Sequence, residues 1–179
     1  MQRYSVFLTP SDPDFAYLET MIRELCGKHG GHPFEPHVTL YSGDLRDLDA
    51  LKRVVSASVH GVRPFALNVR GVGCREEYFW SLFIEFEDNP VPAGINARIR
   101  GGLGNESGYE LFPHLSLLYS DMALSGKMAL AKGLSLDRVV INFDQVKIVS
   151  PGNREEGWRD TSRWKTLFHA RLEEDRESR

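Results

Sequence analysis

Apolar and polar residues alternate in the first ordered-looking stretch of the chain. In "RYSVFLT" (3–9), Val6 and Leu8 fall on one side and Ser5, Phe7 and Thr9 on the other, and Pro10 closes a predicted strand. The period then changes. Phe15, Leu18, Met21, Ile22 and Leu25 recur at helical spacing behind the capping residues of "SDPD", and Gly30-Gly31 stops the run, which predicts a helix over 11–31. Residues 37–42 ("HVTLYS") read as a strand and 45–59 as an amphipathic helix. Residues 65–73 and 77–87 read as strands joined by a turn at "GCRE". A helix over 91–104, a strand over 114–120, a short helix over 124–134 and strands over 138–150 and 163–172 follow. A polar, glycine-containing loop (151–162) separates the last two strands; its charges could gate a cleft, though such a run is more often a solvated loop. The charged tail 173–179 is expected to fray.

The order of these elements repeats. From residue 12 it runs helix, strand, helix, strand, strand, and from residue 91 it does so again, with strand 3–9 outside the repeat. No shorter period suggests a solenoid. No low-complexity linker divides the chain, so residues 1–179 are expected to form one domain whose two halves pack as pseudo-symmetric lobes.

Each half contains the same short motif at the same place in that order: "PHVTLYS" (36–42) and "PHLSLLYS" (113–120). Residues two apart in a strand share a face. His37 and Thr39 therefore look one way, and His114 and Ser116 do the same in the second half. Val38, Leu40, Leu115 and Leu117 look the other way, toward helices. Polar faces opposed across a cleft would carry two imidazoles and two hydroxyls. Imidazole, with an unperturbed pKa of about 6.5, serves as general base when neutral and general acid when protonated. Hydroxyls beside it can donate to non-bridging phosphate oxygens as charge develops there. That is the apparatus for hydrolysing a phosphodiester, and it requires no metal or cofactor.

Composition narrows the setting. The 179 residues carry a net charge of −3, so no basic field recruits long nucleic acid. The N-terminal stretch lacks the apolar run of a signal peptide and nothing reaches transmembrane length, so a cytoplasmic monomer without membrane contact is expected. Two cysteines, Cys26 and Cys74, make neither a disulfide framework nor a zinc site and read as free thiols, Cys26 packed in a helix.

At the paired motifs the sequence resembles the two-histidine (2H) phosphoesterase superfamily, whose signature is two H-x-[ST]-x motifs, and within it the cyclic phosphodiesterase branch known from plants and yeast. "YSVFLTP" (4–10) is similar to the branch's opening strand, with Phe7 where tryptophan is frequent. "FEPHVTL" and "HLSLLY" are similar to its two motifs. The resemblance implies an α+β, two-lobed, internally duplicated fold with antiparallel sheets and outer helices facing a central cleft. It implies metal-free opening of a small cyclic phosphodiester, either ADP-ribose 1″,2″-cyclic phosphate or a nucleoside 2′,3′-cyclic phosphate. His37 and His114 would be the acid–base pair, Thr39 and Ser116 the phosphate-binding hydroxyls, and Phe7 and Tyr119 substrate-lining aromatics. Two other readings compete: an RNA-end 2′,3′-cyclic phosphodiesterase, against which Ser116 and the negative charge argue, and a module that binds a phosphorylated ligand without turnover.

Strand parity extends the site. In "EYFWSLFIEFE" (77–87) the even residues Tyr78, Trp80, Leu82, Ile84 and Phe86 form an apolar face assigned to the core, Trp80 with them. Phe79 then falls on the cleft side as a ligand contact. Tyr119 fails the parity test and reaches the cleft only if its strand ends or bulges after Leu117. Of the remaining histidines, His60 reads as a helix C-terminal cap and His169 as a sheet residue. His29 and His32 lie in a glycine-rich loop with no carboxylate or thiol spaced to complete a metal site.

Overall fold

The computed structural model describes residues 2–104, 107–152 and 159–173. Strand β1 (Arg3–Pro10) is followed by α1 (Asp14–His29), β2 (Val38–Asp44), α2 (Leu48–Val59), β3 (Phe65–Gly73), β4 (Leu82–Phe86) and α3 (Pro90–Gly102). Then come β5 (His114–Leu118), α4 (Leu124–Gly133), β6 (Val140–Ser150) and β7 (Lys165–Arg171), with 3-10 turns at Tyr78–Trp80 and Thr161–Arg163. The repeated order expected from the sequence is present: α, β, α, β, β from α1, and again from α3. Residues 153–158 of the loop and 174–179 of the tail lie outside the described residues.

Local chemistry starts the helices where they start. The Asp47 carboxylate accepts the N–H groups of Asp49 at 2.9 Å and Ala50 at 3.0 Å, and α2 then buries Leu51, Val55 and Val59 four residues apart. Asn89 accepts the Val91 N–H at 2.9 Å with Pro90 in the first turn, and α3 buries Ile95 and Ile99. Helix α1 ends at Gly30 and Gly31, whose φ values of 81° and 109° favour glycine. At Gly31 a Cβ would also come within 3.1 Å of the Tyr119 carbonyl, so the missing side chain lets the approach to β2 pass close beside β5.

All strand pairings are antiparallel. The sheet order is β1-β2-β5-β4-β3-β6-β7, and β1 also pairs with β6, so the first six of these close a ring with β7 on β6. The fold is therefore α+β and antiparallel. The ring is thin at one seam: β2 meets β5 through the single pair Val38↔Leu115. On the other side β6 spans it, pairing with β3 through residues 140–143 and with β7 through 145–150.

The two repeats exchange elements. Helix α1 packs on β5 and α3 on β2, so the helix of each repeat covers the histidine strand of the other. Strands β3 and β4 of the first repeat extend β5 of the second, while β6 and β7 of the second extend the β1–β2 pair. The core lies under these helices, with Val6, Leu8, Val38, Leu40, Leu115, Leu117, Ile141 and Phe143 all withdrawn from solvent. Burying an aliphatic side chain of this size is worth about 1.5–3 kcal/mol. No helix among the described residues is long and apolar enough to cross a membrane. Cys26 is buried and neither cysteine is in a disulfide.

Candidate active site

The opposite face of these strands lines a cavity of about 370 Å³ that contains His37, Thr39, His114, Ser116, Phe7, Phe79 and Tyr119, every site residue inferred from the sequence. Trp80, Trp164, Tyr109, Ser5, Ser42 and Arg3 line it as well.

The two histidines are held alike. His37 Nδ1 lies 2.6 Å from the carbonyl of Glu35, and His114 Nδ1 lies 2.8 Å from the carbonyl of Phe112, two residues back in each case. A carbonyl only accepts, so Nδ1 carries the proton and donates it. This selects the tautomer whose Nε2 has a free lone pair, and it leaves Nε2 as the nitrogen available to a ligand. Each ring is also clamped by an aromatic face. Phe7 stacks on His37 at 3.6 Å and 16°, and Trp80 stacks on His114 at 4.4 Å and 24°. Phe34 and Trp164 approach His37 edge-on, and Phe83 approaches His114 in the same way.

Burial in this aromatic setting disfavours the imidazolium. It pushes His37 down to about 4 despite the opposing bond to the Glu35 carbonyl, with the charges of His114 and Lys147 adding to the depression. His114 is lowered for the same first reason, and the Arg75 guanidinium adds to it. Arg75 lies over the Trp80 ring at 4.2 Å, so the indole that stacks on His114 also carries a cation. Lys147 is ion-paired with the side chain of Glu35, whose backbone anchors His37.

The hydroxyls complete the cluster. Ser116 Oγ donates to the Phe79 carbonyl at 3.3 Å and neighbours the Tyr119 hydroxyl. Thr39 Oγ1 makes no hydrogen bond among the described residues, while its carbonyl accepts from Tyr109 Oη at 3.0 Å. Burial raises the pKa of both Tyr109 and Tyr119, so both stay protonated donors at neutral pH.

A matched pair of β-bulges shapes the cavity. Between Val6 and Phe7 the β1–β2 register jumps from Tyr41 to Thr39, leaving Leu40 as the extra residue. Between Leu82 and Phe83 the β4–β5 register jumps from Leu118 to Ser116, leaving Leu117 as the extra residue. Both extra residues lie three positions after a catalytic-type histidine, and both are buried. A bulge reverses the side-chain alternation beyond it. Ser42 thus joins Thr39 in the cavity, and Tyr119 joins Ser116. Tyr119 occupies the place of Ser42 in the other strand, and its ring stacks on Phe34 at 4.0 Å. The bulge that parity demanded for Tyr119 is there.

Two expectations change. Residues 78–80 form a 3-10 turn and not the start of a strand, so parity counted through them fails. Trp80, assigned to the core, is instead a cavity wall stacked on His114. Phe79 does reach the cavity, but the turn brings it there. Phe7, read as a surface for the ligand, has one face taken by His37. Trp164 gave no local signal. It lies just after the 3-10 turn in which Thr161 Oγ1 contacts the carbonyls of His32 at 3.1 Å and Pro33 at 3.0 Å, a long-range tie to the approach to β2. His60 is the C-cap of α2 with Nδ1 2.8 Å from Glu173, and His169 is an exposed residue of β7.

Comparisons with known proteins bear on the family and the fold. The profile of the family described as cyclic phosphodiesterase-like protein matches residues 1–159. Among solved structures, a phosphoesterase superposes with a TM-score of 0.63 at 12% identity, covering 97% of this chain and 100% of that one. E. coli LigT complexed with 3′-AMP gives 0.62 at 13%, covering 97% and 99%. TT0787 of Thermus thermophilus gives 0.58 at 15%, covering 95% and 97%. At these identities the structures speak for the fold. A search of curated proteins finds no match. With two tautomer-locked histidines facing one cavity, and with the family profile spanning nearly the whole chain, the protein belongs to the cyclic phosphodiesterase-like family of 2H phosphoesterases and is a phosphodiester hydrolase.

Proposed function

We propose that the protein opens a small cyclic phosphodiester on a ribose, a nucleoside 2′,3′-cyclic phosphate or ADP-ribose 1″,2″-cyclic phosphate, by in-line attack of water without a metal. The observation that carries this reading is the equivalence of the two imidazoles. Each has its Nδ1–H spent on a carbonyl and presents Nε2 to the same cavity, so one can take a proton while the other gives one. The cavity volume suits a ligand of nucleotide size, and its aromatic walls suit a base or ribose face.

The neutral histidine accepts a proton from water as its oxygen bonds to phosphorus. The P–O bond to one ribose oxygen breaks, and the protonated histidine passes its proton to that oxygen. The product is a phosphate monoester, and the two rings have exchanged protonation states. Thr39 and Ser116 donate to the non-bridging oxygens as negative charge accumulates there. The phosphate also supplies the imidazolium: an anion between two rings held neutral by burial raises their affinity for a proton.

Phosphorus NMR of EDTA-treated protein with adenosine 2′,3′-cyclic phosphate, and separately with ADP-ribose 1″,2″-cyclic phosphate, tests the proposal. A new monoester resonance is expected, together with a loss of about 10²–10⁴-fold in rate for His37→Ala and for His114→Ala. Retention of near wild-type turnover by either variant, or abolition of turnover by EDTA, would overturn it.

A further inference from the structure

The β1–β2 ladder forms one wall of the cavity, and its rungs run away from the histidines in register: Phe7↔Thr39, then Ser5↔Ser42, then Arg3↔Asp44. Both residues of the first two rungs line the cavity, and so does Arg3. Alternate residues of a strand lie about 7 Å apart, which puts the Arg3 rung about 13 Å along β1 from the rung beneath His37. The middle rung is a pair of hydroxyls, Ser5 Oγ and Ser42 Oγ, 2.8 Å apart.

Arg3 is half-buried, and its guanidinium makes no ion pair or hydrogen bond among the described residues; its backbone sits in the ladder, and its carbonyl accepts from Ser150 Oγ at 3.0 Å. Asp44, across the ladder, is exposed and forms no ion pair with it. Arg3 also borders a second hollow of about 380 Å³ next to the start of α2. Asp44, Arg46 and Asp47 line that hollow beside Arg3, so carboxylates there offset the cations, whereas no carboxylate is among the described residues lining the catalytic cavity. Among the described residues that line the catalytic cavity, Arg3 is the one with the charge and fork geometry to grip a phosphoryl oxygen.

Taking the reaction proposed above as given, we propose that Arg3 recognises a second anionic group on the substrate, borne on the 5′ side of the ribose whose cyclic phosphate lies between the histidines. The hydroxyl rung of Ser5 and Ser42 spans the sugar between the two charges. The preferred substrate class is a cyclic phosphate that carries a further phosphoryl group, not a bare nucleoside cyclic phosphate. That group is a terminal 5′-phosphate, the pyrophosphate of ADP-ribose 1″,2″-cyclic phosphate, or the first phosphodiester of a longer chain.

The test compares three substrates under identical conditions: adenosine 2′,3′-cyclic phosphate, its 5′-phosphorylated form, and a short oligoribonucleotide ending in a 2′,3′-cyclic phosphate. In the wild-type protein a 5′ phosphoryl group is expected to raise kcat/KM by about 10- to 100-fold, chiefly through KM, as a charge-assisted bond from arginine would. In Arg3→Gln the ratio between 5′-phosphorylated and unphosphorylated substrate collapses toward one, and Arg3→Lys retains part of it. A gain confined to the monoester identifies a free nucleotide, and an equal gain for the oligonucleotide identifies a chain end. A wild-type ratio near one, or a ratio that Arg3→Gln leaves unchanged, overturns the assignment of Arg3. A ratio that raised ionic strength does not diminish overturns it without any variant. Absence of turnover with all three substrates would instead count against the hydrolytic reaction itself.

Discussion

Each imidazole of the cavity is constrained twice, once by the carbonyl that fixes its tautomer and once by the aromatic ring that fixes its plane. The same surroundings keep both rings neutral in the free protein, because desolvation lowers both pKa values below the ordinary 6.5. In the proposed reaction the form that meets substrate has one ring charged and one neutral, and its fraction falls tenfold per pH unit above the higher of the two values. The profile of kcat/KM against pH is therefore expected to peak below about 6.5 and decline with unit slope above it. The profile of kcat should peak at higher pH, since bound phosphate raises the histidine pKa. A kcat/KM that stays flat to pH 9 would contradict this picture. Trp80 belongs to the same scale: it stacks on His114 and carries the Arg75 cation on its ring, so in the proposed reaction it would act through the orientation and charge of that histidine.

The bulges belong to the element scale. A strand that alternated without a break would present His37 and Thr39 and then turn Ser42 away; one extra buried leucine restores it. An inserted residue is left out of the ladder, and its backbone needs another partner. For Leu40 that partner is the buried Asn96 of α3, whose Nδ2 donates to the Leu40 carbonyl at 2.7 Å. The helix of the second repeat thus secures the bulge in the histidine strand of the first. Asn96→Ala is expected to destabilise the protein by about 1–3 kcal/mol, the cost of leaving a buried carbonyl unsatisfied, and to lower kcat/KM by disturbing the Thr39–Ser42 edge. Urea unfolding and kinetics on the same preparation check both effects. A variant of unchanged stability would remove Asn96 from this role.

At the scale of the molecule, a buried site built from neutral histidines carries a pH-dependent stability. The unfolded chain binds a proton at His37 below about 6.5, whereas the folded chain does so only near 4. Stability from this group is complete above pH 6.5 and is lost as the pH falls toward 4, by about 3 kcal/mol at 1.36 kcal/mol per unit. Denaturant midpoints taken across that window should fall with pH, and His37→Gln should flatten His37's share. Inorganic phosphate should restore stability at the acid end, because it favours the charged ring. A midpoint that rises on acidification would reverse the sign of the argument.

The features legible without the fold are those that depend on short separations along the chain. The periods of 2 and 3.6 located the strands and helices, and the twice-written motif identified His37, Thr39, His114 and Ser116. The order of elements exposed the repeat. Parity reasoning held wherever the alternation ran unbroken, as for Phe7. It failed where local geometry breaks the count, at the 3-10 turn that carries Phe79 and Trp80 and at the bulge that admits Ser42. Those interruptions are held by partners far away in sequence: Asn96 for the first bulge, and for the turn Ser120, whose carbonyl lies 2.8 Å from the Ser81 hydroxyl that also reaches the Tyr78 carbonyl at 2.7 Å. The exchange of helices between repeats, the entry of Trp164 and the position of Arg3 at the end of the cavity were likewise decided only in the tertiary structure. Each is a meeting of surfaces distant along the chain, and neither periodicity nor motif spacing encodes which distant surface a residue will meet.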